Sequence, residues 1–182
     1  MDSGEARRAP DAALRSPSTD ALVAWQLGRE PRGRWRVGAL CVFARPRVIL
    51  TAPRLDDGTP FPTFAWLTCP WLVRTVADLE SEGHTDRWSR LLATDDSLAA
   101  DVRRSADAYR RARDHESPGE DGASDGGGIA GQADPLATKC LHAHVASAIM
   151  GFCDPVGEAV MGSVGESCGD DRCGRALLEC GT

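Results

Sequence analysis

The stretch from Trp35 to Cys69 constrains the fold most. It holds three runs rich in β-branched and aromatic residues, WRVGALCVF (35–43), RVILTAP (47–53) and TFAWLTC (63–69), separated by proline and glycine. Such runs read as the strands of an antiparallel meander. ARP makes the first connection tight, while RLDDGTPFP is a longer loop with an Asp-Gly turn signal, stiffened by two prolines. Past Thr68 and Cys69 the apolar spacing becomes helical: Pro70 suits a first turn, Leu72, Val76 and Leu79 share one face, and Gly83 supplies a stop. The third strand therefore runs into a helix at Cys69.

Helical signals flank this core. Ser18 or Thr19 can cap DALVAWQLG, which Gly28 ends. A short segment around Trp88, Leu91 and Leu92 precedes DDSLAADVRRSADAYRRARD, with Leu98, Val102 and Tyr109 on one side. PLATKCLHAHVASAIMG and PVGEAVMGSVG complete the set, the second capped by Asp154 with Pro155 in its first turn. The expected class is α+β: a small antiparallel three-strand β-meander packed against several helices. Residues 1–17 read as a flexible tail and 18–166 as a single domain carrying a disordered Gly/Asp-rich loop at 117–134. Residues 167–182 read as a cysteine-containing tail; Cys168 and Cys173 are candidate metal ligands, but their spacing is no strong metal signature and spare surface thiols are the preferred reading. GGGIAG in the loop lacks the strand before it and the Lys-Ser/Thr after it that a phosphate-cradling loop needs.

A chain of 182 residues, 42% apolar, is long enough for one domain with a real core. A net charge of −6 gives the whole chain no footprint for nucleic acid. The arginines of the long helix (Arg103, Arg104, Arg110, Arg111 and Arg113) read as a solvated face with Asp101 and Asp107 as partners. No apolar stretch approaches the roughly 20 residues of a membrane span, so membrane insertion is not expected. The N-terminus lacks the apolar core of a signal peptide, and a cytoplasmic location is expected. Seven cysteines, an odd number, argue against a fully paired disulfide framework and for thiols as core residues or metal ligands.

The chemistry concentrates in KCLHAH, residues 139–144. On a helix, positions i and i+4 face one way and i+2 another, so Cys140 binds with His144 if the helix has begun and with His142 if it has not. Cys41, near the end of the first strand, and Cys69, at the strand-to-helix switch, can converge on Cys140 if the meander sets those strands side by side. That makes a Cys3His zinc site. The rival reading is packing, since free cysteine is among the most buried residue types. An open site could instead activate water for hydrolysis, with Asp56, Asp57, Glu80 or an unbound histidine as acid or base. A nucleophilic Cys140 lacks a recognisable orienting group and oxyanion hole.

QLGREPRG, CVFARP, VILTAPRLDDGTPFPTFAWLTCP, LVRTVADLESEG and KCLHAHVA occur in that order. With them the chain resembles the actinobacterial domain of unknown function 501 family, over most of residues 24–160. The resemblance implies no established activity. It implies that Cys41, Cys69, Cys140 and His142 fall on family motif positions, and that histidine can stand where Cys69 stands. A zinc ligand tolerates that exchange; a packing residue does not. His144 is then an alternative ligand or a neighbour of one. The family often has Pro and Gly after the first cysteine, where this chain has CVFARP, and DPVG at 154–157 resembles a family NPVG cap. The resemblance further implies a link to cell division or envelope processes. Two function classes follow: a non-enzymatic binding or scaffold protein with structural zinc and an unknown protein partner, or a metal-dependent hydrolase.

Overall fold

In the computed structural model, which describes residues 16–116, 128–165 and 167–180, the three β-type runs form β1 (Trp35–Leu40), β2 (Pro46–Thr51) and β3 (Ala65–Leu67). They pair antiparallel in the order β1-β2-β3, with Val37 opposite Ile49 and Val48 opposite Leu67. The fold is α+β, as the patterning indicates. Each strand is shorter than its run because the run ends are spent on turns. Cys41 opens the β1–β2 turn, its N–H donating to the Arg45 carbonyl (2.8 Å), while Ala44 N–H returns to the Cys41 carbonyl (2.9 Å).

β2 is central, and both of its faces are covered. Val48 and Leu50 join the larger core, whereas Ile49 packs with Trp35, Val37 and Val23 in a smaller one. The alternation follows from the two-residue period of a strand. Val23 belongs to α1 (Pro17–Leu27), which starts earlier than Ser18 because Ser16 Oγ accepts from Thr19 N–H (3.1 Å) and Pro17 occupies the first turn.

The larger core is built from α2 (Pro70–Ser81), α3 (His84–Leu92), α4 (Asp96–His115), α5 (Leu141–Ile149) and α6 (Pro155–Val164). On α4 the Asp101–Arg104 and Asp107–Arg110 pairs form as the spacing suggests. Arg113 departs from the solvated face: it is buried and donates to the Phe61 carbonyl (3.4 Å). α5 begins at Leu141, later than its apolar pattern suggests, because Asp134 Oδ1 holds Leu136 N–H in a turn (2.9 Å) and Cys140 is extended.

Residues 1–15 of the expected tail and 117–127 of the expected loop lie outside the described residues. Past them, Ile129–Gly131 form a single 3-10 turn with Ile129 buried. The C-terminal segment also differs from the expectation of spare surface thiols. It forms α7 (Arg172–Cys180), which packs on α1 and buries Cys168, Cys173 and Ala176.

Tyr109 of α4 links helix to sheet. Its hydroxyl accepts from Phe64 N–H (2.9 Å) and Ala65 N–H (3.0 Å), at the start of β3. Burial pushes the Tyr109 pKa up, so the group stays neutral. Tyr109→Phe strands two buried amides and is expected to cost about 2 kcal/mol in urea unfolding, with little loss of packing.

Candidate metal centre

α2 and α5 meet where Cys140 ends the extended segment before α5. Val73 and Glu80 lie seven residues apart on α2, two helical turns, so they share a face. That face meets the start of α5. Glu80 Oε1 accepts from Leu141 N–H (2.6 Å), so a carboxylate from α2 satisfies an orphan amide at the N-terminus of α5. The same Oε1 stands 3.2 Å from His142 Nδ1, and Cys140 Sγ stands 3.9 Å from that nitrogen. His142 Nε2 lies 2.9 Å from the Val73 carbonyl, which can only accept; this nitrogen therefore carries the hydrogen.

Glu80, Cys140 and His142 each offer one ligand atom, and these atoms lie within 4.8 Å of one another. All three residues are half-buried. Burial works against charge on the imidazole, but the Cys140 thiol, the Val73 carbonyl and the Glu80 carboxylate outweigh it and push the His142 pKa up to about 9. Without metal, His142 is an imidazolium donating from both nitrogens. Once Nδ1 loses its proton, its lone pair points between Cys140 and Glu80.

Of the two pairings open to Cys140, the structure forms the one with His142, since the extended Cys140 backbone (φ −148°, ψ 106°) precedes the helix. His144, two residues on, points to another side of α5. It is buried, with Nδ1 3.1 and 2.9 Å from the two carboxylate oxygens of Asp154. Cys41 and Cys69 do not belong to this group of converging donor atoms. Asp57 is engaged in its own exposed turn, accepting from Thr59 N–H (2.9 Å), which holds its carboxyl below the usual range. Glu80, noted in the sequence only as an acid or base, is the donor that completes the cluster. Its seven-residue spacing from Val73 was visible; the docking of α5 on that face was not.

A family model described as Protein of unknown function (DUF501) matches residues 37–162. The chain belongs to the DUF501 family. The matched span runs from β1 to α6 and includes every residue of the Glu80–Cys140–His142 cluster, so the cluster lies within the DUF501 domain. Cys168 and Cys173 lie beyond it. No curated protein and no solved structure matches the chain. Among the described residues no helix is long and apolar enough to cross a membrane.

Proposed function

We propose that this DUF501 protein is a non-enzymatic binding or scaffold domain of the cytoplasm whose fold is pinned by zinc at Glu80, Cys140 and His142. The observation that carries the reading is the convergence within 4.8 Å of three donor atoms, from α2, from the first turn of α5 and from the extended residue before it. Thiolate, imidazole and carboxylate are the donors zinc takes. The Val73 carbonyl supports the same reading, because a ligating histidine usually donates its second ring N–H to a fixed acceptor. Metal here ties α2 to the start of α5. Two surface clefts, about 590 Å³ on α3 and about 410 Å³ between α4 and α6, are lined by other residues.

Zinc at about a thousand times its Kd is expected to add about 4 kcal/mol to the unfolding free energy. Cys140→Ser and His142→Ala each lose most of that gain while keeping the metal-free stability. Equal zinc gains in the wild type and both variants would contradict the reading. The proton on His142 must leave before Nδ1 can ligate, so zinc affinity should rise with pH and weaken at least about tenfold per unit below about pH 9.

The hydrolase alternative rests on one specific feature: three protein donors leave a fourth zinc position for water. Hydrolysis that is lost in His142→Ala while the fold survives would favour it. The cell-division or envelope link implied by the family resemblance says where a protein partner would be sought.

A further inference from the structure

Cys41 and Cys69, which do not join the Glu80–Cys140–His142 group, lie at the end of the sheet where the C-terminal segment docks. The β1–β2 turn (Cys41–Arg45) is clipped to the C-terminal segment by two parallel hydrogen bonds, Arg45 Nε to Asp171 Oδ1 (3.1 Å) and Arg45 Nη2 to Asp171 Oδ2 (2.8 Å). Asp171 also accepts from Gly174 N–H (2.9 Å), which starts α7 at this point. Gln26 Nε2 donates to the Pro46 carbonyl (2.8 Å) and to Cys173 Sγ (3.4 Å), so Cys173 sits beside the first residue of β2. Thr68 N–H donates to the Arg47 carbonyl one residue further along β2 (2.9 Å), which brings Cys69 to the same end of the sheet.

All four cysteines are free thiols; Cys69, Cys168 and Cys173 are buried and Cys41 is partly so. They are mutually close enough for their charges to interact: Cys69 with Cys41 and Cys168, and Cys173 with the other three. Burial pushes the Cys69 thiol up, against the opposing pull of the Trp71 and Leu72 N–H groups at the start of α2. Arg45 acts on Cys41 and Cys173, and Arg172 on Cys168 and Cys69. Cys168 Sγ presently donates to the Asp170 carbonyl (2.9 Å). No three of the four sulfurs lie within 4.8 Å of one another, so ligation draws them inward.

We propose that Cys41, Cys69, Cys168 and Cys173 form a second zinc site, a closed four-thiolate centre that fastens the C-terminal helix to the sheet. It shares no residue with Glu80, Cys140 and His142, and it stands or falls independently of them. Four thiolates in a tetrahedron leave no position for water, so this site is structural. Four free thiols, three of them buried, gather at one end of the sheet beside Arg45 and Arg172. One divalent cation bound by all four sulfurs, with release of their four thiol protons, accounts for all four.

Cobalt(II) added to the metal-depleted full chain tests the assignment, because thiolate-to-cobalt charge-transfer absorption scales with the number of bound thiolates. Two sites hold five thiolates, so Cys168→Ser/Cys173→Ser should lose about four fifths of that absorption and Cys140→Ser only about one fifth. Equal absorption in the wild type and the double variant would overturn the four-thiolate site and leave the other untouched. Alkylation of the wild type, followed by mass spectrometry, needs no variant to fold. Labelling at Cys41, Cys69, Cys168 and Cys173 should rise on chelation, and labelling unchanged by chelator would equally overturn the site.

Discussion

Gly157→Ala is expected to destabilise the fold severely, and Gly162→Ala on the same helix is expected to stabilise. A β-carbon at Gly157 would stand 2.0 Å from the His144 carbonyl oxygen, 2.6 Å from its carbon and 2.8 Å from Ala148 Cβ. Two of those three atoms are backbone, so no rotamer change relieves the clash. α6 must move bodily off α5, and Val156 and Val160, both buried, leave the core with it. The cost is about 4 kcal/mol or more, a large part of the stability of an ordinary domain. Gly162 is exposed, with nothing within 4 Å of the same added carbon. There alanine gains helix propensity, about 0.5–1 kcal/mol. Denaturant unfolding of both variants measures the difference; similar midpoints would contradict the close approach of the two helices.

The second large effect belongs to the same seam. His144 and Asp154 are both fully buried, and Asp154 does two things at once. It faces His144 Nδ1, and its Oδ1 accepts from Val156 N–H and Gly157 N–H (3.1 Å each), capping α6. Asp154→Ala removes a cap and leaves a buried imidazole without its partner, which should cost about 3–5 kcal/mol. His144→Ala should cost a comparable amount, because it leaves the carboxylate buried beside a cavity. The double variant should cost less than the sum, with a coupling of about 1–3 kcal/mol. Strict additivity in the unfolding free energies would mean that the two side chains act separately. A role in packing, carried by this pair, accounts for His144 without metal.

The sheet was legible because its cues are local. β-branched runs, a tight ARP turn and a switch of period at Pro70 each need only a few neighbouring residues to be read. The strand-to-helix switch at Cys69 and the Asp154 cap were equally local. The site residues divided differently. Position i+2 on a helix points away from position i, which separates His142 from His144 once α5 begins at Leu141, and the local geometry alone does not say what each side meets. α2 supplies Glu80 to one side and α6 supplies Asp154 to the other. Those meetings depend on how helices dock.

The C-terminal segment shows the limit most clearly. Its glycine-rich composition suggested spare thiols, yet Asp171 and Gln26 draw it onto the sheet through contacts spanning more than a hundred residues. A faint signal was present: Cys168 and Cys173 flank a turn, and Ala176 follows at helical spacing. Cys41 and Cys69 were correctly seen as standing at structural junctions, but junctions at one end of a sheet find the partners that dock there.

The most direct measurement is the zinc content per chain of protein purified without chelator, compared between the wild type and Cys140→Ser. If zinc sits between α2 and α5, Cys140→Ser carries about one equivalent less than the wild type while its fold, followed by circular dichroism, is retained. The same zinc content in both, or none in either, would contradict a metal at Glu80, Cys140 and His142.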